Sequence, residues 1–447
     1  MKIYLLFLLI VALHAENKYT SNQGECTVDS TEQHCLKKNQ SVEEDDDEPV
    51  FYEEDEIAED PSEKWKGREA LFQWDPVKVG HERRIEVAPG QTVSMVTAAV
   101  KPKAFLIDNF LTEAECDHVI NKALTNGLHD SSLHIDPETR KSKQYTQGHS
   151  NSAIGDFRHW DRNQDGEATI QEVKRMAEKT IKLYFNESDI KEMFEILKIN
   201  TLDDGIITRD EFTTMNTAGL SQYMNDLREE NPRFRDRFSE QIWLRQGDSS
   251  DRVMQGLREK VRKLTNLPEY IVNGGEALQV LRYQPFGHYH AHFDSQDKEA
   301  HPDKPMCCHM DPEASPDNCR LCRLVTILYF LSDVEEGGET AFPVADKDDY
   351  DHEEFRKREK DDLYNLSKFC HNATLVVKPK KGRALMWYNH HLDNNKWLGA
   401  MDYWSLHGGC DIIKGTKWLA NNWLTAPTAE LAHIDSLYLS VEAPGAF

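Results

Sequence analysis

The segment HYHAHFDS at residues 288–295 carries a polar side chain at every second position: His288, His290, His292 and Asp294. Successive side chains of a β-strand point to opposite faces, so these four groups would share one face. Imidazoles and a carboxylate in one row are typical metal ligands. Only His292 has a carboxylate two residues further along, so His292 and Asp294 are the first candidate ligands.

A third ligand is expected from a later strand, and SLHGGCDIIKGTKW offers His407. Two histidines and one carboxylate bind one face of an Fe(II) octahedron and leave adjacent positions for a chelating cosubstrate and O2. Lys417 follows a turn at Gly415, and its ammonium would hold the distal carboxylate of 2-oxoglutarate. Strand alternation places Trp423 on the same face as Lys417, where its ring would wall the pocket.

His288 and His290 are expected to line the cleft or form hydrogen bonds, because an open iron site needs vacant positions. A zinc site built on His290 and His292 is one alternative, although it leaves Asp294 and Lys417 without roles. Ordinary packing of three histidines on a plain strand is the other alternative.

Short strands separated by turns must position these residues. From residue 275 onward the candidate strands are ALQVLRY, HYHAHFD, RLVTILYFL, ETAFP, TLVVKP, RALMWYN, WSLHGG and TKWLANNWL. Such a series indicates an antiparallel sandwich or barrel. Earlier, RRIEVAPGQTVSMV alternates like two paired strands and KPKAFLIDNF predicts a third. Thr112 and Glu115 then form a capping-box pattern that begins an amphipathic helix.

Residues 161–172, DRNQDGEATIQE, match the twelve-residue loop of a calcium-binding EF-hand. Side chains with oxygen atoms stand at the ligand positions, and Gly166 allows the sharp central turn. The predicted calcium ligands are Asp161, Asn163, Asp165, the backbone carbonyl of Glu167, and Glu172. A chance acidic turn is the alternative interpretation.

A second loop at 200–211, NTLDDGIITRDE, is a weaker match. Its candidate ligands are Asn200, Asp204, the backbone carbonyl of Ile206, and Glu211. The third position is Leu202, which has no oxygen, so the loop is expected either to bind Ca2+ weakly or only to pair with the first loop.

The motifs YQPFGHYHAHFDS, GGETAFP and SLHGGCDIIKGTKWLANNWL resemble those of the Fe(II)/2-oxoglutarate-dependent prolyl 4-hydroxylases, in particular the ER-lumenal branch that carries EF-hands. The resemblance covers roughly residues 65–430. It implies an α+β fold, in which a double-stranded β-helix (jelly-roll) core has supporting helices and an inserted α-helical EF-hand pair. The separate peptide-binding domain of the collagen-modifying enzymes has no counterpart in this sequence.

The same resemblance implies roles for individual residues. His292, Asp294 and His407 would bind iron, and Lys417 would pair with the distal carboxylate of 2-oxoglutarate. Further matches to the 2-oxoglutarate pocket are Tyr283, Thr326 and Trp423, although Tyr283 and Thr326 are also compatible with plain packing. The implied cofactors are Fe(II), 2-oxoglutarate, O2 and ascorbate. The implied reaction is hydroxylation of prolyl residues at C4 in a peptide or protein substrate.

The sequence also predicts how the chain is organised. MKIYLLFLLIVALHA is typical of a signal peptide, with an uncleaved anchor as the alternative, and no later stretch resembles a membrane span. An acidic segment that is expected to be disordered follows. The predicted segments are 1–15 signal peptide, 16–63 acidic segment, 64–149 first strands and helix, 150–235 EF-hand domain, 236–430 catalytic domain and 431–447 tail.

The formal net charge of −25 argues against a nucleic-acid partner. Nine cysteines fit an oxidising compartment, which makes the ER lumen or secretion the expected location. Cys116 lies on the apolar side of the predicted helix, so a buried free thiol is expected there. The other eight are available for disulfides, which an oxidising lumen favours over a zinc site at CCH and CRLC. N-glycosylation sequons stand at Asn39, Asn186, Asn365 and Asn372.

Three functions are compatible with these patterns. The first is an active prolyl 4-hydroxylase, which the intact ligand set and Lys417 favour. The second is a calcium-binding lumenal interaction protein on an inactive oxygenase fold. The third is a 2-oxoglutarate oxygenase that acts on another residue type.

Overall fold

The computed structural model describes residues 70–131, 153–197, 199, 204–231, 234–304, 306–307, 319–358 and 363–429. The predicted signal peptide, the acidic segment and the tail at 431–447 lie outside these ranges. The same holds for Asn39, Asn200 and Leu202, and for three of the eight cysteines available for disulfides, Cys26, Cys35 and Cys308.

Nine strands form the larger of two main sheets, and each pairs antiparallel with its neighbours. In spatial order they are β1 Glu82–Ala88, β2 Gln91–Ala99, β3 Ala104–Ile107, β17 Ala384–Tyr388, β13 Arg323–Phe330, β22 Lys417–Thr425, β9 Leu278–Tyr283, β8 Glu240–Leu244 and β4 His129–Asp130.

The smaller main sheet has five antiparallel strands. In spatial order they are β16 Leu375–Val377, β15 Thr340–Phe342, β20 His407–Gly409, β10 His288–His292 and β7 Arg237–Phe238. Four short pairs complete the strands: β5 Glu167–Thr169 with β6 Ile206–Thr208, β11 Met306–Cys307 with β12 Cys319–Arg320, β14 Glu336–Gly337 with β21 Ile412–Lys414, and β18 His390–Leu392 with β19 Leu398–Met401.

Strand β13 lies inside the larger sheet, and all eight of its residues are buried. Its nearly continuous apolar sequence suits a strand that is covered on both faces. Val325 and Ile327 belong to one hydrophobic cluster, whereas Leu328 and Phe330 belong to another. The alternating side chains of β13 therefore join the two halves of the core.

The helices are α1 Glu113–Asn126, α2 Ile170–Thr180, α3 Glu187–Ile196, α4 Arg209–Thr214, α5 Thr217–Glu230, α6 Arg252–Thr265, α7 Glu269–Asn273, α8 His352–Arg358 and α9 Leu366–Phe369. Helix α1 begins with the predicted capping box: the Thr112 hydroxyl accepts from the Glu115 amide at 3.2 Å, and the Glu115 carboxylate accepts from the Thr112 amide at 2.8 Å. Met254, Leu257 and Val261 of α6 are buried at helical spacing in the cluster that covers the larger sheet.

A separate hydrophobic cluster draws all its fully buried members from residues 154–234, the part of the chain predicted to contain the calcium loops. Trp160 and Phe212 pack at its centre, with ring centroids 5.2 Å apart. Strands β5 and β6 pair within this segment, so the two predicted loops lie side by side.

The predicted strands and the predicted first helix are confirmed over the described ranges. Cys116 is a buried free thiol, as expected. Two disulfides join Cys307 to Cys322 and Cys370 to Cys410, and Cys319 is also disulfide-bonded. These cysteines are therefore not zinc ligands. Within the described residues, no helix has the length and apolar character needed to cross a membrane.

Candidate active site

Three predicted ligands meet at the interior face of the smaller sheet. The Nε2 atom of His292 lies 3.6 Å from Oδ1 of Asp294, and the Nε2 atom of His407 lies 3.5 Å from Oδ2 of the same carboxylate. One donor atom from each residue lies within 4.8 Å of the other two. His292 ends β10 and His407 begins the adjacent strand β20, and pairing of these two strands brings the rings together.

A β-bulge in β10 sets the direction of His292. Tyr289 pairs with Gly409, but His292 pairs with His407, so β10 contains one more residue than β20 over this interval. Such a bulge interrupts the alternation of side chains along the strand. As a result, Tyr289 and His292 lie on the same side, and their rings stack with centroids 3.6 Å apart.

The bulge also corrects the expectation that four polar groups share one face. His288 and His290 are both buried and neither lines the cavity, so of the two expected roles, lining the cleft or forming hydrogen bonds, the first is not observed. Both form hydrogen bonds instead. The two ring nitrogens of His288 lie 2.9 and 2.7 Å from the carbonyl oxygens of Phe286 and Arg235. His290 accepts from the Leu366 amide and packs on Tyr184.

Backbone carbonyls orient both ligand histidines. Nδ1 of His292 lies 2.9 Å from the carbonyl oxygen of His290, and Nδ1 of His407 lies 2.8 Å from that of Ser405. A carbonyl oxygen only accepts, so each Nδ1 carries the proton and each Nε2 has a free lone pair for a metal held between the two rings and Asp294. Burial lowers the pKa of His407 to about 4, which keeps its ring neutral at pH 7.

The carboxylate of Asp294 is held through one of its two oxygens. Its Oδ2 accepts from the Thr326 hydroxyl at 2.7 Å and from the indole Nε1 of Trp423 at 3.0 Å. Arg323 contacts the backbone carbonyl of Asp294 at 3.3 Å and lies 3.7 Å over the Trp423 ring. A bidentate bond to Glu276 at 2.6 Å fixes Arg323 in turn.

Thr326 was expected in the 2-oxoglutarate pocket near Lys417, and this expectation is wrong. Its hydroxyl is fully buried. It donates to Asp294 and accepts from the side-chain amide Nδ2 of Asn389 at 2.9 Å. Thr326 lies opposite Trp423 in the pairing of β13 with β22, so both residues reach Asp294 from the larger sheet. Thr326 therefore supports a candidate metal ligand through a hydrogen bond and does not line the cavity.

Lys417 presents a buried ammonium to the cavity. The Nζ atom lies 5.7 Å from the ring centroids of Tyr283 and Phe330. Burial lowers the pKa of Lys417 to about 7, although the Glu339 carboxylate acts in the opposite direction. No hydrogen-bond partner of this ammonium occurs in the part of the chain that the structure describes. Lys417 is thus a cation without a counterion in contact, suited to an incoming carboxylate.

The ligands and Lys417 open into one cavity of about 260 Å³. Strand alternation in β22 holds as predicted, since Lys417 and Trp423 both line it, and Tyr283 does so from β9. Residues that sequence patterns did not identify also line the cavity: Arg237, Gln241, Trp243, Gln279, Tyr289, Phe293, Arg323, Thr340 and Asn421. Polar and aromatic residues recur on the cavity face of these strands, with Gln241 and Trp243 in β8, Gln279 and Tyr283 in β9, and Asn421 in β22, but this signal required the strand pairing to be interpreted.

The donor set fits Fe(II). Two neutral imidazole nitrogens and one carboxylate oxygen converge from one side, and the cavity opens on the other. Thr326 and Trp423 occupy Oδ2 of Asp294, which orients Oδ1 toward the metal position. The Thr340 hydroxyl lines the same cavity and is buried without a hydrogen-bond partner in the described chain.

Comparisons with known proteins agree with this geometry. Residues 278–425 match the family described as the 2OG-Fe(II) oxygenase superfamily. The transmembrane prolyl 4-hydroxylase of Mus musculus is 35% identical over 357 residues, which cover 79% of this chain and 69% of the relative. The chain belongs to the prolyl 4-hydroxylase family.

Two further similarities extend the comparison of this prolyl 4-hydroxylase family member. Prolyl 4-hydroxylase 2 of Arabidopsis thaliana is 36% identical over 194 residues, which cover 42% of this chain and 50% of the relative. The solved viral collagen prolyl hydroxylase from Paramecium bursaria Chlorella virus-1 is 19% identical, with a TM-score of 0.33 over 72% of this chain and 96% of that one.

Family membership defines the reaction class. As a prolyl 4-hydroxylase family member with a 2OG-Fe(II) oxygenase fold, the protein is a 2-oxoglutarate-dependent dioxygenase that uses Fe(II), 2-oxoglutarate and O2. The converging histidines, aspartate and lysine described above are its candidate machinery.

The first predicted calcium loop of this prolyl 4-hydroxylase family member is compact. The two carboxylate oxygens of Asp161 accept from the amides of Asp165 and Gly166 at 3.1 and 3.0 Å. Gly166 has a φ of +92°, a conformation that favours glycine. Glu172 forms a capping box with Thr169 at the start of α2. Hydrogen bonds within the loop and at the start of the following helix therefore fix the side chains of Asp161 and Glu172 individually.

The second loop is described only from Asp204 onward, and Asn200 lies outside the described residues. Asp204 accepts from the Ile206 amide at 3.1 Å, and Glu211 forms a capping box with Thr208. Ile206 pairs with Thr169 in the short sheet between the loops. This segment is therefore positioned to support the first loop.

Proposed function

We propose that this protein hydroxylates proline at C4 in peptide or protein substrates, with iron held by His292, Asp294 and His407. The observation that carries the proposal is the buried ammonium of Lys417 in the same cavity as three converging metal-ligand atoms. A buried ammonium beside an open metal site offers a charge-assisted partner to a carboxylate of the cosubstrate. Bound Fe(II) would supply oxidative chemistry with 2-oxoglutarate and O2.

The side chains of this protein would bind and orient the cosubstrate. Lys417 pairs with the distal carboxylate of 2-oxoglutarate, because no other negative group contacts the ammonium in the described chain. Tyr283 lies beside Lys417 in the pairing of β9 with β22. The unpartnered Thr340 hydroxyl offers a further hydrogen bond. Binding therefore gives partners to two buried polar groups that otherwise have none.

The peptide is proposed to enter beside Tyr289 and Arg237. The Arg237 guanidinium lies 4.7 Å from the Tyr289 ring centroid, and Tyr289 stacks on His292. Aromatic faces at this position suit a proline ring, and Arg237 offers donors to a peptide carbonyl. The buried walls exclude water from the reacting atoms. The substrate class is consequently a proline-containing peptide segment that reaches into the cavity.

Calcium is proposed to bind the first loop through Asp161, Asn163, Asp165, the Glu167 carbonyl and Glu172. Oxygen donors at these positions match a hard divalent cation. The second loop, with Asp204, Ile206 and Glu211, would stabilise the first through the pairing of β5 and β6.

The secretory pathway is the proposed location, with ascorbate as the reductant that restores oxidised iron. The disulfides at Cys307–Cys322 and Cys370–Cys410 suit an oxidising lumen. Among the sequons, Asn372 is exposed and is the proposed glycan site. Asn365 is only 5% exposed, so the glycan predicted there does not fit the folded chain. Asn186 caps α3 through its side chain.

The test is incubation of the full chain with Fe(II), 2-oxoglutarate, ascorbate and a library of proline-containing peptides. Mass spectrometry should find peptides that gain one oxygen atom, with the hydroxyl on proline C4, together with an equal amount of succinate. The His292→Ala variant should abolish both products, while His371→Ala, at an exposed histidine on the surface, should retain them.

Other outcomes distinguish the alternatives. Oxygen gained on another residue would show a 2-oxoglutarate oxygenase with a different substrate. Absence of both succinate and hydroxylated peptide, with Fe(II) and 2-oxoglutarate bound, would favour an inactive fold that serves calcium-dependent binding.

A further inference from the structure

An aromatic surface adjoins the mouth of the cavity. Phe293 lines the cavity, and its ring meets the edges of His352 and Tyr403 at centroid distances of 5.5 and 5.9 Å. His352 and Tyr403 stack in parallel, 4.1 Å apart with an angle of 10°. All three side chains are half-buried. We call Phe293, His352 and Tyr403 the aromatic shelf.

Buried aromatic residues hold the shelf in place. The Tyr350 hydroxyl bonds to Nδ1 of His352 at 3.0 Å, and the Tyr350 ring contacts Trp404 at 5.8 Å. Trp404 donates its indole N–H to the Lys347 carbonyl at 3.1 Å. Because the rings are already fixed, little side-chain entropy remains to be lost when a ligand binds.

Carboxylates surround the shelf. The Tyr403 hydroxyl donates to Asp297 at 2.6 Å. Burial, followed by the negative charges of Asp297, Glu299 and Glu353, raises the pKa of Tyr403. Lys298 is the basic residue between Asp297 and Glu299 in the chain. The field at the shelf therefore favours a positively charged ligand group.

The same aromatic cluster already accepts a lysine from this chain. Nζ of Lys101 lies 5.5 Å from the ring centroid of Trp404, on the part of the cluster beneath the shelf. A cation over an aromatic face is attracted by the ring quadrupole. The half-buried rings of His352 and Tyr403 offer a comparable aromatic surface to an external cation.

We propose that the aromatic shelf binds a lysine or arginine that flanks the hydroxylated proline of the substrate. The proposal rests on the proposed function, and it defines the class of peptide that the cavity accepts. Phe293 is common to the shelf and the cavity, and it lies between His292 and Asp294 in the chain. A peptide whose proline reaches these ligands must therefore pass the shelf with a neighbouring residue.

The test uses one host peptide with a single proline. Lys, Gln, Leu or Glu is placed in turn at each position beside the proline, and binding to the full chain is followed by fluorescence anisotropy. At the position that contacts the shelf, the Lys peptide should bind about tenfold more tightly than the Glu peptide. Higher salt should reduce this preference, because the carboxylates are partly exposed.

Variants of the shelf separate the contribution of the carboxylate charge from that of the aromatic rings. Asp297→Asn should lower the Lys-over-Glu preference about threefold while leaving the affinity for the Leu peptide unchanged. Tyr403→Ala should weaken the binding of the Lys peptide and of the Leu peptide alike. Tyr403→Phe retains the ring and should bind both peptides. The control Glu113→Gln, at an exposed carboxylate in the first turn of α1, should change nothing. The dissociation constant of 2-oxoglutarate should be the same in every variant.

The outcomes distinguish this proposal from the proposed function. Equal affinity for Lys and Glu peptides at all positions would overturn the shelf proposal, even if proline is hydroxylated. A preference for Leu over Lys would also overturn it and identify an apolar surface. A Lys preference without proline hydroxylation would leave the shelf as a basic-peptide site and reject the proposed reaction.

Discussion

The indole Nε1–H of Trp423 donates to Oδ2 of Asp294 across 3.0 Å. This bond joins the larger sheet to a candidate metal ligand beside the smaller one. Together with the Thr326 hydroxyl at 2.7 Å, it holds Oδ2, which lies 3.5 Å from Nε2 of His407, while Oδ1 lies 3.6 Å from Nε2 of His292. The orientation of Asp294 is therefore set by residues that do not themselves contact the metal position.

Removing this donor should weaken iron binding. Trp423→Phe retains a ring in the cavity wall but loses the N–H, and affinity for Fe(II) should fall about tenfold, as is common for partners of metal ligands. Anaerobic titration with Fe(II) measures the change. Trp418→Phe, at a half-buried indole outside the cavity lining, is the control. Unchanged Fe(II) affinity in Trp423→Phe would show that Asp294 is oriented without this bond.

Binding of 2-oxoglutarate should depend on the protonation of Lys417. Burial lowers its pKa to about 7, so the empty cavity loses its positive charge as the pH rises through about 7. The dissociation constant of 2-oxoglutarate, measured by calorimetry between pH 6 and pH 9, should therefore increase with pH above that point. In Lys417→Arg the guanidinium stays charged, so the dependence in this range should disappear.

Lys417 should also destabilise the empty fold at low pH. The folded pKa is lower than the unfolded value, so the cost of burying the charge is complete below about pH 7 and is relieved as the pH rises toward the unfolded pKa. Lys417→Met should therefore raise the Tm of the cofactor-free protein by about 2 °C or more at pH 6, and by less at pH 9. A larger gain at pH 9 would contradict this sign.

Loss of the His288 ring should destabilise the protein without changing the ligands directly. The two ring nitrogens of His288 face the carbonyl oxygens of Phe286 and Arg235, and His288→Leu removes the ring N–H that donates in this buried position. The expected loss is about 2–4 kcal/mol of unfolding free energy, measured in urea. His129→Leu, at an exposed histidine of β4, should cost less than about 0.5 kcal/mol. Equal stability of the two variants would reject this role.

Calcium should stabilise the fold mainly through the first loop. Glu172→Gln keeps the capping box with Thr169 but removes a charged ligand, so the Ca2+-dependent increase in Tm should be largely lost. Thermal unfolding with Ca2+ and with chelator measures this. Glu192→Gln, at an exposed carboxylate of α3, should keep the full increase. A full increase in Glu172→Gln would place the calcium effect elsewhere.

The sequence alone determined the elements and the candidate ligand set. Alternation predicted β1 and β2, and short runs separated by turn residues predicted β9, β13 and β22, because both patterns depend on residues that are neighbours in the chain. In β22 the alternation is regular, so the shared cavity face of Lys417 and Trp423 followed directly. The capping box of Thr112 and Glu115 predicted the start of α1 for the same local reason.

The tertiary structure decided where alternation fails. Strand β10 bulges where the amides of His290 and Ala291 donate to the carbonyls of Asp236 and Tyr364, which are distant in sequence. These bonds place His288 and His290 outside the cavity and bring Tyr289 onto the His292 ring. A pattern of residue types contains no information about such bonds, since each depends on backbone groups supplied by other segments.

The tertiary fold likewise decided which side chains contact one another in the core. Thr326 bonds to Asp294 because β13 and β22 pair in one register, and Arg237 reaches the cavity because β7 adds to the edge of the smaller sheet. The sequence alone therefore determined the candidate metal ligands and the candidate cosubstrate-binding residue Lys417. Only the packing of strands from distant parts of the chain decided which neighbours orient them, because side-chain contacts depend on pairing register and sheet packing.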